Sequence, residues 1–324
     1  MPPEPSVASK APAPTRILVI KLGALGDFVQ AMGPAAAIRR HHQNAEITLL
    51  TSAPFGEIAR MSPYFDQVWI DERPRGFAIA AWLRLRHRLR NAHFDRVYDL
   101  QTSSRSSSYF HLMGPYPFGG GPRPEWSGIA RGASHPHANP RRDSMHTLDR
   151  QADQLQMAGI AAVPPPDLSW AKADIARFNL PADFMLLVPG GAAHRLEKRW
   201  PTSHYAALAA TIARHGMTPV VIGGRDESET VRAVVQGVPL ARDLAGQTNL
   251  AEIVGLGAAA RYAVGNDTGP MHLIVAAGCK ATVLYSAASD PSLTQPRGSK
   301  VTVLRRDDLK ALDPAEVAAT LSFG

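Results

Sequence analysis

Short apolar runs rich in β-branched residues alternate along the chain with longer stretches whose apolar positions recur at helical spacing. This is the pattern of a parallel sheet whose strands are joined by helices. RILVIKL (16–22) predicts the first strand and Asp27 to His42 the first helix; AEITLL, QVWI and DRVYDL predict further strands with helical stretches between them. A loop rich in Gly, Pro and His follows from Gly114 to Pro140, then a helix around Met145 to Met157. VPPPDLSW, Val163 to Trp170, predicts a stiff proline linker. Beyond it the alternation restarts with FMLLVPG, a helix from Thr202, TPVVIGG, a helix from Glu227, and then RYAVG and ATVLYS. Two successive α/β units, 16–162 and 171–324, imply two Rossmann-like halves facing a central cleft, with ligands at the carboxyl ends of the strands.

A length of 324 residues suits two domains, and no apolar run is long enough to span a bilayer, since LIVAAGCKATVLYS is broken by Gly278 and Lys280. The opening MPPEPSVASKAPAPT (1–15) lacks the apolar stretch of a secretory signal and reads as a disordered tail, so the expected location is cytoplasmic. Cys279 is the only cysteine, which rules out an internal disulfide and a multi-Cys metal site. The net charge of +7 favours anionic partners such as nucleotides, phosphorylated glycans or acidic membrane surfaces. No zinc-finger spacing, stacking-aromatic motif or long basic tract points to nucleic acid.

The residues that carry chemistry sit at the predicted strand ends. In NDTGPMH (266–272), Pro270 suits the first position of a helix and Gly269 permits close approach. The amides of that first turn and the Thr268 hydroxyl form an anion pocket, unless Asp267 or Thr268 merely caps the helix. His272 either reaches the same ligand or packs. In EKRWP, Lys198 meets a phosphate oxygen or stands as a solvated cation. In GGRDE, Asp226 and Glu227 follow a glycine pair at a strand end, placed to bind ribose hydroxyls or to begin a helix. KLGALGD has neither GxxxxGK[ST] nor GxGxxG spacing, and Asp27 would compete with a phosphate for the same amides. The turn therefore presents a carboxylate to the cleft, or supplies an acid that offsets the helix dipole.

ILVIKLGALGDFVQAMGPAAAIRR, FDRVYDLQTSSRS, EKRWP, GGRDE and NDTGPMH, in this order from about Arg16 to the end, resemble the signature set of the family 9 glycosyltransferases, the ADP-heptose:lipopolysaccharide heptosyltransferases. The resemblance implies an α/β GT-B fold, with the acceptor bound by the N-terminal half, the nucleotide sugar by the C-terminal half, and the last helix free to pack back on the first half. It implies that Asp27 is the general base, with Gly26 and Arg105 on the acceptor side. Lys198 then lies at the donor phosphates, Asp226 or Glu227 at the ribose, and Asp267, Thr268, Gly269 and His272 at the diphosphate. Thr102 stands where the family usually has Gly, and Pro34 recurs inside the first helix. The resemblance further implies an inverting, metal-independent transferase with no cofactor beyond a nucleotide-sugar substrate, ADP-heptose. The acceptor would be a lipid-linked or cell-envelope glycan met at the inner face of the cytoplasmic membrane.

Alternatives are a non-catalytic sugar-nucleotide binding or scaffold protein of the same fold and, less favoured for want of GxGxxG, a nicotinamide dehydrogenase. AWLRLRHRLRN (81–91) predicts a helix with Ile79, Trp82, Leu83 and Leu89 on its apolar side, read as core-facing with a solvated basic face rather than as a membrane contact. His135, His137, Asp143 and His146 lie in or beside a Pro-rich loop without fixed geometry and are read as no metal site. TSSRSSS lacks a nucleophile elbow, which argues against a hydrolase.

Overall fold

The strands at the centre of each sheet are largely apolar because helices cover both faces. In β1 (Arg16–Ile20) every residue after Arg16 is buried, and in β7 (Phe184–Val188) every residue is buried. The computed structural model describes residues 14–74, 76–114, 123–192, 194–298 and 300–323, so the predicted tail falls outside the described residues except for its last two positions.

β1 joins β2 (Glu46–Thr51), β3 (Gln67–Ile70), β4 (Arg96–Asp99), β5 (Glu125–Gly128) and β6 (His135–Pro136) in a six-stranded parallel sheet of order β3-β2-β1-β4-β5-β6. β7 joins β8 (Thr218–Val221), β9 (Arg242–Asp243), β10 (Tyr262–Asn266), β11 (Ala281–Tyr285) and β12 (Val301–Arg305) in a second parallel sheet of order β12-β11-β10-β7-β8-β9. Counted from its own first strand and read from the opposite edge, the second order is the same as the first. Each sheet reverses its winding beside its first strand, at β1/β4 and β7/β10, which is where doubly wound sheets open a crevice.

The stretch expected as one helix over 27–42 is two helices, Leu25–Gln30 and Met32–His41, meeting at Ala31. Pro34 offers no N–H to the carbonyl of Gln30 four residues back, so the helix is interrupted. The proline linker crosses this point, where a Cβ on Gly33 would collide with the Pro164 carbonyl oxygen. The region expected as loop from Gly114 to Pro140 contains β5 and β6, anchored by Trp126, which is fully buried with its ring centroid 5.3 Å from that of Phe110. The last helix, Pro314–Ala318, does not return to the first half. It packs on helix Thr202–Arg214, with Trp200 Nε1 donating to the Leu312 carbonyl at 2.9 Å and the Phe323 ring stacked on His215.

The halves meet along helices Leu25–Gln30 and Gly269–Ala276, which begin at the two switch points. Their apolar sides fuse into one core that includes Phe28, Val29 and Met32 from the first half and Met271, Leu273 and Ile274 from the second. A second tie holds the chain after Pro291 against helix Thr147–Met157: Arg297 forks onto Asp149 at 2.5 and 2.7 Å, and Thr147 Oγ1 donates to the Leu293 carbonyl at 3.3 Å. His146 takes the Leu148 N–H on Nδ1 at 3.1 Å and places Nε2 2.9 Å from the Gln295 carbonyl.

Candidate active site

On the first half, the loops after β1 and β4 are sewn together before any ligand arrives. Lys21, buried, donates Nζ to the Leu100 carbonyl at 3.2 Å, and Leu22 N–H donates to Gln101 Oε1 at 2.8 Å. Burial pulls the Lys21 ammonium below its ordinary value, with Asp27 the strongest charge opposing that pull. Asp99, fully buried at the end of β4, takes the amides of Gln101 and Thr102 on Oδ1 at 3.1 and 2.9 Å. Burial pushes its carboxyl up to about 6 against those bonds. Thr102 is held at φ +45, the left-handed region that a glycine enters without steric cost. With the loops after β2 and β3, those after β1 and β4 line an open groove of about 480 Å³, formed by Leu22 to Ala24, Ser52 to Phe55, Asp71 to Arg73 and Gln101. Arg105 donates Nη1 to the Pro74 carbonyl at 3.2 Å and so braces the groove's rim.

On the second half, Asp267 does not cap the helix after it. Its Oδ2 accepts from Lys198 Nζ at 2.7 Å and from Ser289 Oγ at 2.6 Å. Burial alone would raise the Asp267 carboxyl; the Lys198 and Ser289 bonds and the Lys198 charge outweigh it and hold the acid below its usual range. Thr268, at the N-cap of Gly269–Ala276, makes no side-chain cap bond. The capping alternative is thereby excluded for both residues. Lys198, expected to be either phosphate-facing or solvated, is a partly buried member of an ion pair.

Glu227 separates itself from Asp226. Its two oxygens accept the amides of Gly191 at 2.7 Å and Gly224 at 2.8 Å, clipping the glycine turn after β7 to the one after β8, while Asp226 is exposed. A side chain on Gly190 would collide with Glu227 Oε1, so that glycine is required by close approach.

The seam brings the halves' motif residues together. A Cβ on Gly26 would lie 2.8 Å from the His272 imidazole, and one on Gly269 2.7 Å from the Leu25 side chain. Both glycines therefore serve helix-to-helix approach. Gln30 donates its amide to the Thr294 carbonyl at 2.9 Å and points it at His272 Nδ1 at 3.4 Å. Burial pulls His272 down to about 4, against the raising effect of the Asp267 and Asp27 carboxylates, so at neutral pH the ring is uncharged. It packs in the seam between Gly26 and Gln30. Asp27 lies half-buried in the first turn of Leu25–Gln30, next to Gly26.

Sequence reasoning missed several residues on which this geometry depends. Asn266, fully buried, accepts from Trp200 N–H at 3.0 Å and the Tyr205 hydroxyl at 3.1 Å, and donates to the carbonyls of Pro189 and Gly190 at 2.8 and 3.1 Å. It locks the loop after β7 to the end of β10. An amide ending an otherwise apolar strand was the available signal. Ser289, Gln30 and Arg199, whose guanidinium reaches the Gly191 carbonyl, carried no such signal. The histidines weighed as metal ligands go to separate partners: His135 to Arg96 at 3.0 Å, His137 to Asp153 at 2.8 Å and His146 to Gln295.

A protein-family model described as Glycosyltransferase family 9 (heptosyltransferase) matches residues 82–317. Lipopolysaccharide heptosyltransferase 2 of Escherichia coli (strain K12) is 26% identical over 321 residues, covering 90% of this chain and 88% of that protein. Lipooligosaccharide heptosyltransferase 2 of Haemophilus influenzae is 34% identical over 120 residues, 36% of this chain and 34% of that protein. Among solved structures, E. coli ADP-heptose lps heptosyltransferase II superposes with a TM-score of 0.77 at 22% identity, covering 94% of this chain and 97% of that one. E. coli heptosyltransferase WaaC with ADP-2-deoxy-2-fluoro heptose gives 0.74 at 19%, covering 94% and 98%. The two matching sheets meeting at their switch points have the GT-B architecture of these neighbours. With the family model spanning well over half of its length, the chain belongs to glycosyltransferase family 9 and is a glycosyltransferase.

Proposed function

We propose that the protein moves a heptose from ADP-heptose to a lipopolysaccharide core or related cell-envelope glycan, with inversion at the transferred carbon. The observation that carries this reading is the seam itself, where the Asp27 turn of the first half abuts the Asp267-Thr268-Gly269 turn of the second. The family and the names of the relatives support heptose as the sugar, and the ADP-sugar bound to WaaC supports the donor.

In such a transfer the acceptor hydroxyl loses a proton while the leaving diphosphate gains charge. Asp27, on the acceptor side, takes the proton. Lys198, Arg199 and the uncapped first turn at Thr268 and Gly269 meet the charge, with Asp267, itself bonded by Ser289, holding Lys198 in position. Base and diphosphate pocket belong to opposite halves, so attack comes from the face away from the leaving group. These protein cations and amides suffice for the leaving group, and we propose transfer without a metal ion. Glu227 or Asp226 binds the ribose, and Arg105 braces the acceptor groove. No helix among the described residues is long and apolar enough to cross a membrane. We place the enzyme on the cytoplasmic side, meeting its lipid-borne acceptor at the inner membrane face.

The test is incubation with ADP-heptose and a lipopolysaccharide core truncated before its heptoses, followed by ADP release and the mass of the acceptor, with and without EDTA. Transfer that survives EDTA is expected. Absence of ADP release with every heptose-accepting core overturns the assignment. Asp27→Ala is expected to remove transfer while donor affinity stays within about threefold, since a positioned base contributes on the order of 100- to 10,000-fold.

A further inference from the structure

We infer that Phe77, Ile79 and Leu83, flanked by Arg84 and Arg88, form a ridge that docks on an anionic lipid bilayer. These three residues are 98%, 65% and 58% exposed and fall within seven positions of one another, whereas the other exposed large apolar side chains, such as Met61, Met157 and Leu240, are scattered along the chain. Single exposed apolar residues need no explanation, but a clustered set does. The sequence pattern assigned Ile79 and Leu83 to the core side of their helix. In the structure, helix Ile79–Asn91 seats Leu89 in the core, with Trp82 and Leu85 packed against it, and leaves Ile79 and Leu83, one turn apart, facing out.

The helix is fixed firmly beneath this ridge. Arg86 and Arg90 donate to the carbonyls of Leu112 and Gly114 at 2.6 and 3.2 Å, closing the end of helix Ser104–Leu112. Arg88 lies 4.1 Å over the Trp69 ring. Arg84, 64% exposed, meets an equally exposed Glu72 at 3.1 Å, a pair too open to be worth much and free to trade its partner for a lipid phosphate. Between Arg73 and Asn91 the chain carries arginines at 73, 75, 84, 86, 88 and 90 and no acid. An apolar stripe beside such charge fits the headgroup and acyl boundary of an anionic leaflet. A second copy of the chain fits less well, because a two-fold contact sets each arginine row against its own image.

The ridge comes directly after the Asp71–Arg73 loop that lines the first-half groove, so docking here sets the groove's mouth at the lipid surface. This placement rests on the proposed acceptor only for its purpose; binding to lipid needs neither donor nor glycan.

The experiment is co-sedimentation of the full chain with vesicles of phosphatidylglycerol and phosphatidylethanolamine, against vesicles of phosphatidylcholine alone. Association with the anionic vesicles, weakening as salt rises, is expected. Phe77→Ser and Leu83→Ser should each lower partitioning on the order of tenfold with Tm unchanged, because both side chains already face solvent. Wild-type protein that stays in the supernatant, or a Phe77→Ser, Leu83→Ser double variant that binds as well as wild type, overturns the ridge. So does a dimer in size-exclusion chromatography that Phe77→Ser dissolves. Transfer to a water-soluble core fragment, measured alongside, separates the two ideas: intact transfer without vesicle binding sinks the ridge alone, and vesicle binding without transfer sinks the proposed reaction alone.

Discussion

Gly26 and His272 touch across the seam between the halves, so closely that a methyl group on Gly26 would stand 2.8 Å from the imidazole Cδ2. The ring has little room to retreat, being buried with Gln30 at its Nδ1 side. In an open helix Gly→Ala gains about 0.5–1 kcal/mol, while overpacking a tight contact costs about 1–3 kcal/mol. The overlap wins, and Gly26→Ala is expected to lower Tm by roughly a few degrees in calorimetry. Adding His272→Ala should return part of that loss. A Tm that rises in the single variant would show that the seam is looser than this contact.

Lys198 and Asp267 separate stability from donor binding. Lys198→Met leaves a mostly buried carboxylate with Ser289 as its remaining strong partner, at a cost of about 2 kcal/mol near pH 7. Because the Asp267 carboxyl is held below its usual range, the pair's contribution is present above the unfolded value of about 4 and is lost as pH falls through the folded one. Urea titrations should therefore show the wild-type advantage shrinking below about pH 4. The double variant Lys198→Met, Asp267→Asn should regain most of the stability but none of the affinity for ADP. If the double variant binds ADP like wild type, Lys198 is a structural cation and nothing more.

The central strands were legible because burial on both faces leaves an unbroken apolar run, as in ILVI (17–20) and FMLLV (184–188). The edges were not: β9 is Arg242–Asp243, both exposed, and β6 is His135–Pro136, pairs that become strands only because a neighbour offers its hydrogen bonds. The carboxylates, Lys198 and the glycine turns could be placed at strand ends from pattern alone. Their partners could not, since Asp267 chooses between a helix cap and Lys198 only once residues 69 apart in sequence are brought together. Gln30 and Thr294 are 264 apart. Thr102, the departure from the glycine of the resembling pattern, keeps the conformation that glycine would take, at φ +45, because Asp99 holds its amide.

Glu227 and Asp226 are separable by the same logic. A carboxylate already oriented by two amides loses little freedom when it also meets a ribose, whereas exposed Asp226 starts unrestrained. Glu227→Gln turns an amide group toward Gly191 or Gly224 N–H, costing about 1–3 kcal/mol of stability and raising KM for the donor. Asp226→Asn is expected to leave Tm unaltered and donor KM within about twofold. The opposite pattern, with KM moved only by Asp226→Asn, would reassign the ribose contact.

His272 makes the seam sensitive to acid. Its folded pKa of about 4 lies below the unfolded value of about 6.5, so the unfolded chain binds the extra proton first. Stability from the neutral buried ring is complete above about pH 6.5 and drains away as pH falls toward 4, by up to about 3 kcal/mol. Asp99, raised to about 6 by burial, acts in the opposite sense, because its buried carboxyl becomes easier to hold as it takes a proton. The two effects overlap in one titration, so the wild-type curve alone does not resolve them. Asp99 is present in both wild type and His272→Gln, as is His42, likewise lowered to about 4, and both cancel in the difference between the two chains. That difference should be flat above pH 7 and fall steadily between pH 6.5 and 4. A flat difference throughout would mean that the ring is hydrated or charged in the folded protein, and that the helices of the two halves do not close on it.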